Sequence, residues 1–219
     1  MRNGFIAGYS RPPVVQVFLK APRQGFVKTR LAREVGNERA LAIYRTLAEA
    51  QLAKLPPGWT TEIHYTPVDA GAEMRGWLGS HHEYRAQCDG DLGLRLAHAV
   101  ERAFATGARN VFAIGADCPD LDASLLAEAQ TALRQTDVVI GPARDGGYYL
   151  IGLKSPAVGL FEKIEWSTPR VLAQTLQRAQ ELGLVHALLP EKEDVDDLAG
   201  WQRHQGRLGI PLDQRPADA

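Results

Sequence analysis

The chain has 219 residues, 45% of them hydrophobic and 23% charged, with a formal net charge of -1. That length suits one domain with a full core, and the composition lies far from disordered or collagen-like chains. Near-neutral charge argues against a general nucleic-acid binder, which needs surplus Lys and Arg along the phosphate backbone, so any basic patch is local.

The segment after Met1, Arg2 and Asn3 breaks at Gly4, Gly8 and Pro12 and lacks the apolar stretch of a signal peptide. No later segment reads as a membrane span. Cys88 and Cys118 form neither a C-x-x-C pair nor a disulfide framework and fit a reducing compartment, so the expected location is the cytoplasm.

Val14 to Leu19 is an apolar, β-branched run of the kind that forms a central parallel strand buried on both faces. After the turn residues Ala21 to Gly25, Leu41, Tyr44, Leu47 and Ala48 recur at helical spacing and predict a helix from about Asn37 to Lys54, stopped by Pro56-Pro57-Gly58. Thr60 to Thr66 alternates as a strand, and Ala70 to Leu78 carries a weaker helical pattern. Asp91 to Phe104 is an amphipathic helix through Leu92, Leu96 and Val100, capped by Gly107.

A second buried strand, Asn110 to Ile114, precedes a helix from about Ala123 to Arg134. Asp137 to Ile140 reads as a strand, Arg144 to Gly147 as a turn, and Tyr148 to Leu153 as a strand that either pairs with its predecessor or crosses the sheet. A helix from Thr168 to Leu182, a strand from Val185 to Leu189 and a helix through Trp201 complete one domain, with its core from about 14 to 201 and loose tails at both ends. Alternating strands and helices predict an α/β fold whose mainly parallel sheet is covered on both faces. In such sheets ligands bind beyond the carboxyl ends of the strands.

Five polar clusters follow predicted strands or open helices. Lys20 to Leu31 brings four cations around a turn: Gly25 lets the backbone approach a ligand, and Lys28, Thr29 and Arg30 fall near the start of a short helix, where phosphate is favoured. The loop matches neither the Walker nor the dinucleotide fingerprint, and a solvated basic loop is an equal reading. Asp117, beyond the strand Asn110 to Ile114, is placed to hold Mg²⁺ or Mn²⁺ carrying phosphates, whereas Asp120 or Asp122 caps the next helix.

Asp145-Gly146-Gly147 is a hairpin turn or, beside Asp117, a place where Asp145 orients a hydroxyl acceptor and the glycines leave room for a sugar or base. Glu165 to Arg170 starts a helix with Ser167 or Thr168 as its cap, and Trp166 offers an apolar wall. Asp194-Val195-Asp196-Asp197 caps the last helix or, if it returns to the crevice, supplies Asp196 as a second metal carboxylate. His81-His82 lies in an exposed loop rather than at zinc-ligand spacing.

Taken together, Lys20 to Leu31, Gly-Asp-Leu-Gly from Gly90 to Gly93, Gly115 to Leu121 and Gly141 to Leu153 resemble a bacterial family of glycosyltransferase-A-like, nucleotide-diphospho-sugar transferase proteins. Trp166 to Pro169 and Asp194-Val195-Asp196 extend the resemblance over Val14 to about Trp201. It implies a glycosyltransferase-A-like fold, distantly related to the guanylyltransferases for molybdenum cofactor and 2-phospholactate. By the same resemblance Lys28 and Arg30, with Lys20, match phosphate-binding positions, Asp117 the metal position and Asp196 the turn that completes the metal site. A later acidic position of that pattern is Gly200 here, and the glycine-rich signature of sugar nucleotidyltransferases is absent.

The expected activity is metal-dependent transfer from a nucleotide-activated donor to a small-molecule acceptor. Glycosyl transfer leads and pyrophosphate-releasing nucleotidyl transfer follows. A non-catalytic nucleotide-binding module is the competing class. Lys28, Asp117 and Asp145 are the candidate catalytic residues, and Gly146, Gly147, Tyr148 and Trp166 the candidate acceptor pocket.

Overall fold

The computed structural model describes residues 12–208; the tails expected at each end, and the segment read for a signal peptide, lie mainly outside them. Among the described residues seven strands form one sheet: β1 (Val14–Lys20), β2 (Thr60–Thr66), β3 (Glu83–Ala86), β4 (Val111–Ile114), β5 (Val138–Pro142), β6 (Tyr148–Leu153) and β7 (His186–Leu188). Their order is β3-β2-β1-β4-β6-β5-β7, parallel throughout except for β6, which is antiparallel to both neighbours. The carboxyl ends of the parallel strands and the amino end of β6 therefore share one rim.

The central strands are continuous apolar runs because both faces are covered. Val15, Val17 and Leu19 pack toward helices α2 (Asn37–Ala53), α3 (Gly71–Leu78) and α5 (Ala123–Ala132). On the other face β4, β5 and β6 pack on α4 (Leu92–Ala105) and α6 (Val171–Glu181). A third cluster joins Leu31 of α1 (Thr29–Val35) to Ile43 and Leu47 of α2, Val195, and Trp201 of α7 (Leu198–Leu208).

The expected helix ends obey local chemistry. Asp122 accepts the Leu125 amide as the cap of α5. Gly107, at φ 93°, lets its own amide and that of Ala108 close on the carbonyls of Phe104 and Ala103, the paired bonds of a glycine-terminated helix.

Three features depart from the sequence reading, and one open reading is resolved. β3 is an unforeseen edge strand, short and half exposed, so it lacks an apolar signature. β6 resolves its two readings by doing both: it forms a hairpin with β5 and carries the chain against β4. Helix α6 begins at Val171, not Thr168, because Ser167 takes a left-handed backbone (φ 64°) and Thr168 closes a turn, donating to the Glu165 carbonyl and accepting the Arg170 amide. Neither Ser167 nor Thr168 caps α6; the Leu172 amide is satisfied by the Gly146 carbonyl instead. The final helix also continues past Trp201 to Leu208.

Candidate functional site

The rim is built from three loops that sequence separates widely. The first leaves β1 at Lys20, whose amide and carbonyl both bond the Tyr44 hydroxyl of α2 (3.0 and 2.8 Å). Tyr44 thus fixes where β1 ends. The chain then turns at Gly25 (φ 78°), and Lys28 opens α1 in a left-handed conformation (φ 45°), a costly state for a residue with a side chain. Its amine turns inward and only 6% of the side chain is exposed.

The second loop follows β4. Gln51 of α2 donates to the Gly115 carbonyl (2.6 Å) and accepts the Cys118 amide (3.2 Å), and Lys54 donates to the Pro119 carbonyl (2.8 Å). These three bonds from one helix hold the loop that carries Asp117. The third loop follows β7 and is tied to the second by the Val195 amide, which donates to the Asp117 carbonyl (2.9 Å). Val195 is fully buried among α1, α2 and α7, and its neighbours Asp194 and Asp196 both line the crevice. Asp197 caps α7 by accepting the Gly200 amide, which leaves Asp194 and Asp196 free of that duty.

At the junction the Lys28 amine donates to Asp117 Oδ2 (2.8 Å) and Asp196 Oδ1 (2.9 Å). Arg30, 72% exposed, stands 3.8 Å from the other Asp196 oxygen. Burial works against the charge on Lys28, but the two carboxylates outweigh it and hold the pKa above its ordinary value. Burial raises Asp196, yet Lys28 and then Arg30 bring it below the usual carboxylate range. Asp194 is the opposite case: burial and the neighbouring Asp117, Asp145 and Asp196 push it up to about 8, against the pull of Lys28. One of its oxygens is buried without a hydrogen-bond partner.

Three adjoining cavities meet here. One, of about 470 Å³, is lined by Lys20, Lys28, Thr29, Arg30, Asp117 and Asp196, with Phe18 and Tyr44. A second, of about 420 Å³, shares Arg30 and Asp196 with it and adds Asp145, Gly147, Tyr148, Trp166 and Asp194. The third, of about 410 Å³, extends from Lys20 and Tyr148 toward Thr66, Gln87 and Arg95. Ser167 lines all three.

The structure thus brings together every candidate side chain. Two glycine expectations change. Gly25 serves its turn and is not among the residues lining the cavities. Gly146 leaves no room for a ligand, because a Cβ there would lie 2.2 Å from the Pro169 carbonyl oxygen; its bareness seats the hairpin against that segment. Asp145 accepts the Gly147 amide (2.9 Å), so the hairpin turn and an oriented carboxylate coexist. Helix α1 is only seven residues long, so the phosphate reading rests on the side chains of Lys20, Lys28 and Arg30. The rings of His81 and His82 lie 3.9 Å apart, tilted by 48°, just before β3.

Sequence reasoning missed Ser167, to which it assigned a cap, and gave Asp194 and Gly93 no role. Gly93 makes space for Trp166, since a Cβ there would lie 2.5 Å from its indole nitrogen. The Gly-Asp-Leu-Gly motif joins that seat to the α4 cap, Asp91, which accepts the Leu94 amide. The motif's spacing was a signal without a partner, because Trp166 lies far away in sequence.

A divalent cation fits this chemistry. Asp117 and Asp196, 32% and 40% exposed, present hard oxygen donors to a place already taken by one positive charge. Among the described residues no three His, Cys, Asp or Glu groups form a metal cage. Two protein carboxylates with the remaining ligands from phosphate and water is the usual arrangement for Mg²⁺.

The sequence profile of bacterial proteins described as uncharacterized and conserved in bacteria, DUF2064, matches residues 47–168. The chain belongs to this family. Its fold is that of the nucleotide-diphospho-sugar transferases. A crystal structure described as a candidate nucleotide-diphospho-sugar transferase from Desulfovibrio desulfuricans G20 is 31% identical, with a TM-score of 0.80 over 90% of this chain and 96% of that one. At the level of fold alone, 4-diphosphocytidyl-2C-methyl-D-erythritol synthase from Anaerococcus prevotii is similar (11% identity, TM-score 0.58, covering 91% and 97%). So is the manganese complex of Rv0371c from Mycobacterium tuberculosis H37Rv (13%, TM-score 0.51, covering 87% and 96%). No curated protein matches the sequence. Among the described residues of this family member no helix is long and apolar enough to cross a membrane.

Proposed function

We propose that the protein is a metal-dependent transferase that moves a glycosyl group from a nucleotide-diphospho-sugar to a hydroxyl acceptor. The observation that carries this reading is the convergence of Lys28, Asp117 and Asp196 at the boundary between two cavities. Lys20, Lys28, Thr29 and Arg30 suit the donor diphosphate in the first cavity, and Trp166 and Tyr148 suit the acceptor in the second. The similarity to the Desulfovibrio protein, at 31% identity, supports the same class of donor.

In this reading Asp117 and Asp196 would hold Mg²⁺ or Mn²⁺, which would supply positive charge for the leaving diphosphate. Lys28 and Arg30 share that task through preorganised charge in a partly closed site. The acceptor oxygen forms a bond to the anomeric carbon while the bond from that carbon to the diphosphate oxygen breaks, the diphosphate leaving with the electron pair. Asp145, held by the Gly147 amide, takes the acceptor proton. The free thiols Cys88 and Cys118 suit a reducing, cytoplasmic setting for the reaction.

The test is to incubate the full chain with Mg²⁺, a panel of nucleotide sugars or nucleoside triphosphates, and a panel of alcohols and sugars. Release of nucleoside diphosphate from one nucleotide sugar supports glycosyl transfer. Release of pyrophosphate from a triphosphate would replace it with nucleotidyl transfer, and turnover of neither donor class would sink both.

A further inference from the structure

Lys28 performs two incompatible tasks in the proposed function. It is the buried cation suited to phosphate, yet its amine is held between the two carboxylates suited to the metal (2.8 and 2.9 Å). We infer that Lys28 is a built-in counter-ion which, before substrate arrives, closes the site to a free divalent cation and to a free diphosphate, and admits the two only as a complex. This inference rests on the proposed nucleotide and metal site and adds an order of assembly to it.

The argument is one of charge. A lone cation entering between Asp117 and Asp196 meets an ammonium that is nearly buried. A lone diphosphate that draws the ammonium away leaves the two carboxylates facing both each other and the incoming anion. Asp145, on the same crevice, adds to that repulsion. A diphosphate carrying its cation exchanges one set of ion pairs for another: ammonium to phosphate, cation to carboxylates. Exchange without uncompensated charge avoids the penalty for leaving a partly buried ion unpaired. Coupling of this kind is reciprocal, so each ligand must raise the affinity of the other.

Isothermal titration calorimetry can test this with Mn²⁺ alone, pyrophosphate with chelator, and preformed Mn²⁺-pyrophosphate, a probe independent of base and sugar. The wild-type chain should bind the complex at least tenfold more tightly than either component. Lys28→Met should bind Mn²⁺ alone at least tenfold more tightly than wild type. Arg30→Met, which removes a like charge 3.8 Å from Asp196 without vacating the space between the carboxylates, should gain less than threefold. Mn²⁺ binding to the wild type as tightly as the complex, or a folded Lys28→Met with unchanged Mn²⁺ affinity, would overturn the inference while leaving the transferase reading intact. If Lys28→Met fails to fold by circular dichroism, the three wild-type titrations decide. If none of the probes binds the wild type, the nucleotide site itself falls and this inference with it.

Discussion

Two charged clusters in this molecule use the same kinds of side chain and balance them in opposite ways. Under α4, the Glu62 carboxylate receives Gln16 (2.9 Å), His64 (3.0 Å) and Arg102 (2.9 Å) on a single oxygen, and Gln16 also donates to the Ala99 carbonyl, while its own oxygen is buried without a partner and lines none of the three cavities. At the rim, Asp117 and Asp196 share one buried ammonium, Arg30 stands 3.8 Å from Asp196, and Asp194 beside them retains a buried oxygen with no partner. Native interiors satisfy their polar groups almost without exception, so a surplus of acceptors beside a cavity marks a place for a ligand rather than for structure. The first cluster holds β1, β2 and α4 together. The second is arranged for something that arrives.

The comparison breaks if variants in the two clusters behave alike. The largest effects belong at the rim. Lys28→Met and Asp117→Asn should each lower kcat/KM for the donor by about 10³-fold, the order of a lost transition-state charge partner, and Asp117→Asn, which leaves Lys28 paired with Asp196, should do so with little loss of stability. Steady-state turnover with the donor identified by screening, alongside thermal melting, checks both halves. Asp145→Asn should lower turnover by about 10²-fold while leaving donor affinity within threefold, because Asp145 lines the second cavity, proposed for the acceptor. Equal losses of donor affinity and turnover would remove Asp145 from the acceptor role.

The buried cluster should respond in stability instead. Glu62→Gln strands the Arg102 charge and should cost roughly 3 kcal/mol in urea unfolding, as breaking a buried ion pair does. The isosteric Asp194→Asn should stay within about 1 kcal/mol of wild type, since the group it replaces already lacks a partner. If Asp194→Asn were as damaging as Glu62→Gln, Asp194 would be structural and the contrast would collapse.

The smallest effect is in the pH profile. Burial of Glu62 opposes its charge, but His64, Gln16 and Arg102 bring its pKa down to about 2, so its contribution is present above the ordinary value of 4.5 and is lost as pH falls toward 2. Burial lowers His64 below its ordinary 6.5; the unfolded chain takes that proton first, and stability falls with pH below that value. Both groups act with the same sign, so the wild-type melting temperature should fall on acidification from pH 6.5, with the part below pH 4.5 flattened in Glu62→Gln. Scanning calorimetry at fixed ionic strength reads this directly.

Much of the fold was legible because burial on both faces writes itself as continuous apolar runs in β1, β4, β5 and β6 and as helical spacing in α2 and α4. β3 escaped because an exposed edge strand of four residues has no core to face. The start of α6 was misplaced because Ser-Thr-Pro is the ordinary helix-start signal, and only the docking of the Gly146 hairpin against Pro169 shows why the turn runs on to Arg170. At the rim, residue types and their position after strands were readable, and so were the candidate partners. What could not be read was pairing: Lys28 meets carboxylates 89 and 168 positions away, and Glu62 meets a guanidinium 40 positions away. The Lys28 engagement in particular inverts the simple expectation of a basic loop waiting for phosphate.

The most direct test of the central claim is metal-dependent binding of a nucleotide donor at Asp117. A thermal-shift screen would compare nucleoside di- and triphosphates and nucleotide sugars, each with Mg²⁺, Mn²⁺ or chelator, in wild type and Asp117→Asn. The account predicts stabilisation by one nucleotide class only when metal is present, absent in the variant. Equal stabilisation with chelator, or an unchanged response in Asp117→Asn, would contradict it.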